Sequence, residues 1–203
     1  MFLIVTTQHA SKSKFLDAAL QVIRAKGYEA TTVDHLCAAA QLTKGSFFHH
    51  FDGKEDLAIA AAEHFYAMAD GLFSSAPYQK IVDPLDRLLA YVDFRIAILQ
   101  GELPQFTCLL GTMVQEVYET HPAIRDACNR YISAHADWVA GIIEEARRLY
   151  APNAPWTAQS LGLFTQAAIQ GSFILAKAKG GPQIAVECLR HLRRYVESQF
   201  PRV

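Results

Sequence analysis

Apolar residues recur every three or four positions along almost the whole chain, which is the spacing of amphipathic α-helices. The first such stretch runs from Ser11 to Lys26 and stops at Gly27, a residue suited to ending a helix. Proline, glycine and capping residues divide the rest of the chain into further helical segments. The sequence contains no alternating strand pattern, β-hairpin signal or internal repeat. The pattern therefore predicts an all-α protein with about nine helices.

The breaks between these segments predict the domain organisation. Beyond the first helix, the predicted helices cover approximately residues 32–39, 43–50, 54–73, 84–100, 104–120, 122–150, 157–179 and 183–200. Three short helices are thus followed by longer ones. We expect a disordered arm over residues 1–10, a first helical module over 11–53 and a second helical domain over 54–203. Residues 54–73 form the connecting helix between the last two.

Composition narrows the function classes. Of 203 residues, 51% are apolar and 19% are charged, so a large core is expected and global disorder is excluded. The formal net charge is -1, which argues against a nonspecific polyanion binder or a membrane-surface protein. The four cysteines form no CxxC pair and indicate intracellular thiols. Without a signal peptide or a run of about 20 apolar residues, the expected location is the cytoplasm, with no membrane contact.

One segment carries a functional motif. The tight turn Ala40-Gln41-Leu42 joins the second and third predicted helices, an arrangement typical of a helix-turn-helix. Residues 32–57 read TVDHLCAAAQLTKGSFFHHFDGKEDL. This stretch resembles the DNA-binding segment of the TetR family of bacterial one-component regulators in its Thr-Val cap, its Thr-Lys-Gly-Ser run, its His-His-Phe end and the Lys-Glu-Asp-Leu that follows. The match covers residues 11–57, and residues 107–112 with 121–125 also look like a variant found among these regulators.

The resemblance implies a homodimeric transcription factor, a repressor that a small hydrophobic or electrophilic effector releases from its operator. Its predicted contacts with double-stranded DNA are Thr32, Thr43, Lys44, Gly45, Ser46, Phe48, His49 and Lys54. Thr43 would cap the recognition helix beside a phosphate, and Lys44 would contact phosphate or guanine. Gly45 would let the backbone approach DNA. Phe48 stands at the family's usual tyrosine position and lacks its hydroxyl.

The same segment yields three further expectations. Phe47 and Phe51 should face inward and hold the recognition helix in place. Gln41 stands where the family often has glycine, at a cost of about 1 kcal/mol if its φ is positive. Residues 11–56 hold six lysines and arginines against six acids, so DNA binding should depend on a few placed cations and have a shallow salt dependence. A dimer on a pseudo-palindromic operator would double the contacts.

The C-terminal half is the predicted site of effector binding and dimerisation. The candidate pocket residues, mostly aromatic, are His64, Phe65, Tyr91, Phe94, Phe106, Met113, Gln115, Trp138 and Phe164. The candidate interface residues, from two amphipathic stripes on the last two helices, are Ala168, Gly171, Ser172, Leu189, Leu192 and Val196. The alternative is that the pocket residues are ordinary core and that both stripes are buried within one chain.

Other chemistry is limited. Cys108 is a candidate thiol sensor if the fold brings a cation such as Lys177 or Arg95 near it, and otherwise a buried, inert thiol. The histidines lack the spacing of metal ligands, and the chain contains no P-loop, GxGxxG, GxSxG or HExxH motif. We therefore expect no metal, no cofactor and no catalytic residues. The alternative function is an all-helical small-molecule-binding protein or enzyme that does not bind DNA.

Overall fold

A computed structural model describes residues 2–201 of the chain. Within that range it contains ten α-helices and one 3₁₀ turn, and no β-strand. The predicted all-α class is confirmed. The chain divides into two compact units. We call the first, residues up to Ala69 together with Thr107–Tyr131, the N-terminal unit, and the second, Asp70–Phe106 together with residues from Ile132 onwards, the C-terminal unit.

The N-terminal unit contains six helical segments that pack around a common apolar centre. Its helices are α1 (Phe2–Lys26), α2 (Val33–Ala40), α3 (Lys44–His50), the first part of α4 (Lys54–Ser74), α7 (Leu109–Val117) and the first turns of α8 (Pro122–Tyr150). Its centre is apolar, with Phe15, Ile23, Leu36, Phe47 and Leu57 fully buried. The unit is larger than the predicted 11–53 module, because Thr107–Tyr131 packs with it.

Capping residues explain where α2 and α3 begin and end. The Thr32 side chain accepts a hydrogen bond from the His35 amide, and His35 Nδ1 accepts one from the Thr32 amide, which forms a capping box. Gln41 ends α2 with φ +55°, in the left-handed region. Thr43 then caps α3 by accepting from the Ser46 amide. Local sequence thus sets the length of both helices and the turn between them.

Helix α1 begins at Phe2, whereas the sequence analysis expected a disordered arm over residues 1–10 and a helix start at Ser11. The physical reason lies in the composition of the segment. No proline or glycine interrupts residues 2–10, so the helix that Ser11–Lys26 forms extends towards the N-terminus. Met1 lies outside the described residues.

The C-terminal unit is a second helical assembly. It contains the end of α4, the 3₁₀ turn Pro77–Lys80, α5 (Pro84–Ala97), α6 (Leu103–Phe106), the rest of α8, α9 (Ala158–Lys179) and α10 (Gln183–Ser198). Asp83 and Thr157 cap α5 and α9. Gly162 on α9 allows a close approach to α8, because a Cβ at that position would lie 2.8 Å from the Ala136 carbonyl oxygen. None of the helices within residues 2–201 has both the length and the apolar character needed to cross a membrane.

One predicted helix is in fact two. The sequence suggested a single helix over 104–120, but α6 ends at Phe106 and α7 starts at Leu109. Cys108 caps the new helix, since its Sγ lies 3.4 Å from the Gly111 amide that donates to it. The break also separates the two units, with α6 in the C-terminal unit and α7 in the N-terminal one.

Candidate nucleic-acid interface

The N-terminal unit presents one polar face that α2 and α3 share. We call this set of exposed residues the α2–α3 face: Thr32, Asp34, Thr43, Lys44, Gly45, Phe48 and His49. Six of the eight predicted DNA contacts belong to it, while Ser46 and Lys54 are half-buried. A short exposed helix following a tight turn has the shape that enters a major groove. Each member of this set is therefore accessible to a nucleic acid.

Aromatic packing orients the recognition helix α3. Phe47 and Phe51 are buried, and both rings pack edge-to-face against Phe15 of α1, with centroids 5.4 and 6.2 Å away. The predicted inward orientation of Phe47 and Phe51 is confirmed. On the opposite side of the helix, Phe48 is 57% exposed. An exposed phenyl ring on a recognition helix can contact a thymine methyl group in place of a phosphate.

Lys44, the first residue of α3, forms an ion pair within the unit. Its Nζ lies 2.8 Å from Oδ1 of Asp34 on α2. The hydrogen bond and the negative charge of Asp34 raise the pKa of Lys44, so the lysine stays fully charged. Sequence patterns alone did not single out Asp34. Its position in the first turn of α2 was the available signal, because that turn lies beside the start of α3 in a helix-turn-helix.

Lys54 is engaged differently from the prediction. Its Nζ donates to the carbonyl oxygens of Tyr28 and Glu29, at 3.1 and 3.4 Å, and lies 4.1 Å from the centroid of the Tyr28 ring. These contacts fasten the start of α4 to the segment that follows α1. They indicate a structural role for a residue that was predicted to clamp a DNA strand.

His50, the last residue of α3, packs against α1. His50 Nε2 lies 2.6 Å from Ser11 Oγ, and its ring contacts Phe15. Burial lowers the pKa of His50, with further lowering by His49 and Lys12. Among residues 2–201, no three His, Cys, Asp or Glu side chains are grouped so that they could hold a metal ion. His50 is therefore a packing residue that positions the end of α3.

The C-terminal unit contains a cluster of aromatic rings. Its members are Phe73, Tyr78, Tyr91, Phe94, His135 and Trp138, with neighbouring centroids 5.0–6.5 Å apart. The Tyr91 Oη lies 2.9 Å from His135 Nε2. Burial lowers the pKa of His135 to about 3, with a smaller contribution from Arg95. Two buried atoms near these rings, Tyr78 Oη and Gln166 Nε2, have no hydrogen-bond partner among the described residues.

Two family models match the chain. One, of bacterial regulatory proteins of the tetR family, covers residues 15–61, and the other, of the LmrA/YxaF-like transcriptional regulator C-terminal domain, covers residues 84–184. Together they cover the α2–α3 face and four residues of the aromatic cluster, namely Tyr91, Phe94, His135 and Trp138. The chain belongs to the TetR family. The resemblance noted in the sequence is confirmed.

Curated relatives agree with this assignment. The TetR-family chain is 28% identical over 114 residues to the transcriptional repressor DhaR of a Mycobacterium species, an alignment that covers 56% of each protein. It is 30% identical over 115 residues to the transcriptional repressor NemR of Escherichia coli, covering 53% of this chain and 50% of NemR. The chain thus spans about half the length of the curated relatives it matches.

Solved structures share the fold. The reduced form of E. coli NemR superimposes with a TM-score of 0.81 at 20% identity, covering 96% of this chain and all of that one. The regulatory protein TetR from Rhodobacter sphaeroides superimposes with a TM-score of 0.80 at 23% identity, covering 93% and 98%. The helical architecture of this chain is therefore that of TetR-family regulators along nearly its full length.

The predicted pocket residues of this TetR-family chain do not form one group. His64, Phe65, Met113 and Gln115 belong to the N-terminal unit, and the other five belong to the C-terminal unit. Tyr91, Phe94 and Trp138 are in the aromatic cluster. Two of the nine residues are exposed: Gln115, whose amide donates to the Gly111 carbonyl, and Phe164, whose ring packs on Tyr195. Helical spacing does not reveal which face of a helix is covered.

The remaining pocket candidates have partners of other kinds. His64 Nε2 lies 2.8 Å from Asp17 Oδ1, and Phe65 lies under the Arg24 guanidinium. Phe106 contacts Phe173, and Met113 is fully buried. The residues that sequence reasoning missed in the cluster are Phe73, Tyr78 and His135. A polar side chain on a buried helix face was the signal, but such residues are common.

Cys108 lies beside Arg24, a cation that is distant from it in the sequence. Arg24, which is buried, donates from Nη1 to the carbonyl of Thr107 at 3.2 Å. Burial lowers the pKa of Arg24, and the neighbouring Cys108 sulfur partly offsets that effect. The two predicted cations, Arg95 and Lys177, belong to the other unit, where Arg95 lies over the Phe73 ring. Cys108 is half-buried, whereas Cys128 is fully buried and has its pKa raised to about 12.

The predicted dimer residues divide into two groups. Ala168 and Gly171 lie at the partly exposed edge of α9. Ser172, Leu189, Leu192 and Val196 are buried inside the C-terminal unit, so their assignment to an interface is wrong. The apolar stripe of α10 packs within the chain. A different apolar surface is exposed, and we call it the α9 ridge: Leu163, Phe164, Ala167, Ile174 and Leu175, with Tyr195 of α10 against Phe164.

Proposed function

We propose that this protein is a transcriptional repressor that binds operator DNA through the α2–α3 face. The observation that carries the proposal is the exposure of Thr43, Lys44, Gly45 and Phe48 on a recognition helix whose other side is buried against α1. Family membership supports this proposal. The alternative of an all-helical enzyme would not explain why this face is exposed. As a regulator of chromosomal genes, the protein would act in the cytoplasm.

The α9 ridge supports a homodimer. Five apolar side chains are exposed on one helix face, next to the small residues Ala168 and Gly171, which allow a second helix to come close. A two-fold axis through this ridge would pair each α9 and α10 with their copies. Two recognition helices would then contact two half-sites of a pseudo-palindrome, one helical turn of DNA apart.

The aromatic cluster supports an effector site for a small hydrophobic molecule in the C-terminal unit. Tyr78 Oη and Gln166 Nε2 are donors without partners, and a bound carbonyl or similar acceptor would satisfy them. Helices α4 and α8 each contribute residues to both units, so their continuous backbones connect effector site and DNA face. Release requires that the effector bind better to a conformation that does not fit the operator.

Cys108 supports a second, electrophilic route of release. Its sulfur accepts from the Gly111 amide at the start of α7 and has the Arg24 guanidinium as a neighbour. Alkylation would add bulk where α7 begins. We expect Cys108→Ser protein to keep its operator complex after treatment with N-ethylmaleimide, and Cys188→Ser protein to lose it as the wild type does. Loss of the complex from Cys108→Ser protein would contradict this route.

A gel-shift titration on the DNA immediately upstream of the protein's own gene tests the main proposal. With excess competitor DNA, we expect a discrete complex for the wild type and at least tenfold weaker binding for Lys44→Ala, at unchanged oligomeric mass. Lys26→Ala, which removes an exposed charge from the end of α1, is the matched control and should bind like the wild type. If selection from random sequences also returned no common site, the proposal would be wrong.

A further inference from the structure

We propose that Asp34 is an internal counter-anion that limits the DNA affinity of the recognition helix by holding the Lys44 ammonium in place of a DNA phosphate. The inference rests on the proposed DNA-binding function and goes beyond it. It assigns to an acid on the α2–α3 face the role of setting binding strength and salt dependence. Neither the family match nor the DNA-contact motif points to this residue.

The geometry places the ion pair where DNA would compete for it. Lys44 is the first residue of α3 and Asp34 lies in the first turn of α2, with Nζ and Oδ1 2.8 Å apart. The side chains are 57% and 71% exposed, so both charges are on the solvent side of the two helices. A phosphate that approaches Lys44 therefore meets a carboxylate already bound to the same ammonium.

A purely structural role does not account for the pair. Exposed ion pairs contribute little to stability, because water and salt screen them. The association of α2 and α3 with α1 is already secured by the buried side chains of Leu36, Phe47 and Phe51. Removing the Asp34 charge should therefore leave the fold intact and change what the face binds.

The Asp34 carboxylate reduces the contribution of Lys44 to DNA binding in two ways. A lysine that is neutralised by a carboxylate displaces fewer condensed counterions from DNA when it binds. The carboxylate itself also repels phosphate. Lys54 differs, since the acceptors of its ammonium are the neutral carbonyls of Tyr28 and Glu29 and leave its charge uncancelled. Asp34 thus acts on the cation that was predicted to read the DNA.

Asp34→Asn tests the inference, because it removes the charge and keeps the size and a hydrogen-bonding oxygen. We expect about three- to tenfold tighter binding to operator duplex and to a random 30-base-pair duplex at about 150 mM salt. The slope of log affinity against log salt should steepen by about one per protomer. Glu63→Gln, which removes an exposed charge from α4 in the same unit, is the control and should match the wild type.

A double variant separates the pair from a general charge effect. In a Lys44→Ala background, Asp34→Asn should improve binding by less than about twofold, since the cation that the acid holds is gone. An equal gain in both backgrounds, an unchanged affinity or weaker binding by Asp34→Asn would each overturn the inference. If wild type, Asp34→Asn and Asp34→Asn/Lys44→Ala all failed to bind any duplex, the proposed function would fall together with it.

Discussion

The Tyr91 hydroxyl and the His135 Nε2 atom lie 2.9 Å apart inside the aromatic cluster of the C-terminal unit. Burial and the nearby Arg95 lower the pKa of His135 from 6.5 to about 3, so the imidazole is neutral near neutral pH. With its proton on Nδ1, the ring accepts the Tyr91 hydroxyl hydrogen. The pair therefore brings a polar contact into an otherwise apolar cluster without adding a charge to it.

This contact predicts an acid-sensitive C-terminal unit. Below about pH 6.5 the unfolded chain takes up a proton at His135 that the folded chain does not bind until about pH 3. Stability thus falls as pH is lowered through this window. Between about pH 7 and pH 5 the wild type should lose about 1–2 kcal/mol more than His135→Gln in urea unfolding. Parallel pH profiles for the two proteins would contradict the prediction.

The turn between α2 and α3 predicts a stabilising substitution. Gln41 has φ +55°, and an L-residue in that region costs about 1 kcal/mol relative to glycine. Gln41→Gly should raise the free energy of unfolding by up to about 1 kcal/mol, measured by urea denaturation. Gln21→Gly, at an exposed position inside α1, should lower it by a similar amount. A loss at both positions would show that Gln41 is not strained.

Adding a hydroxyl group to the Phe48 ring should increase the affinity for DNA. Its ring is 57% exposed on α3, so a para hydroxyl would meet solvent or phosphate without disturbing the core. We expect Phe48→Tyr to bind operator DNA about three- to tenfold more tightly, because a hydrogen bond to a charged oxygen forms. Phe48→Leu, which keeps an apolar side chain, should not gain affinity. Equal binding by Phe48→Tyr and the wild type would show that no DNA phosphate lies within reach of this position.

Replacing Lys54 should reduce the stability of the fold. Methionine at this position keeps most of the apolar stem but removes the two hydrogen bonds to carbonyls and the cation–π contact with Tyr28. Lys54→Met should reduce the free energy of unfolding by about 1–2 kcal/mol. Lys26→Met, at the exposed end of α1, should have little effect. Weaker DNA binding with unchanged stability would instead support the clamp role that the sequence suggested.

The α9 ridge predicts the outcome of charge insertion. Phe164→Glu or Ile174→Glu would place a carboxylate in the middle of the proposed apolar interface, where burying it unpaired is unfavourable. We expect either variant to be monomeric by light scattering after size exclusion, and to bind operator DNA more weakly. Val82→Glu, at a 92% exposed position outside the ridge, should remain dimeric. Dimeric Phe164→Glu and Ile174→Glu would place the interface on another surface.

Much of the DNA-binding module could be predicted because its determinants are local. Thr32 and Thr43 cap the helices that follow them, and Gln41 terminates α2, each through contacts within four residues. The inward direction of Phe47 and Phe51 follows from helical spacing. The same reasoning was wrong for Leu189, Leu192 and Val196, because an apolar stripe packs equally well against its own chain or a second copy.

The sequence by itself determined the all-α class, most helix boundaries, the caps of α2 and α3 and the family, since these depend on residues close together in the chain. Only the tertiary structure decided that Asp34 holds Lys44, that Arg24 lies beside Cys108 and that Tyr91 meets His135. These partners are between ten and more than eighty residues apart. Their contacts depend on how helices pack and rotate against each other, and no periodicity along a single helix encodes that orientation.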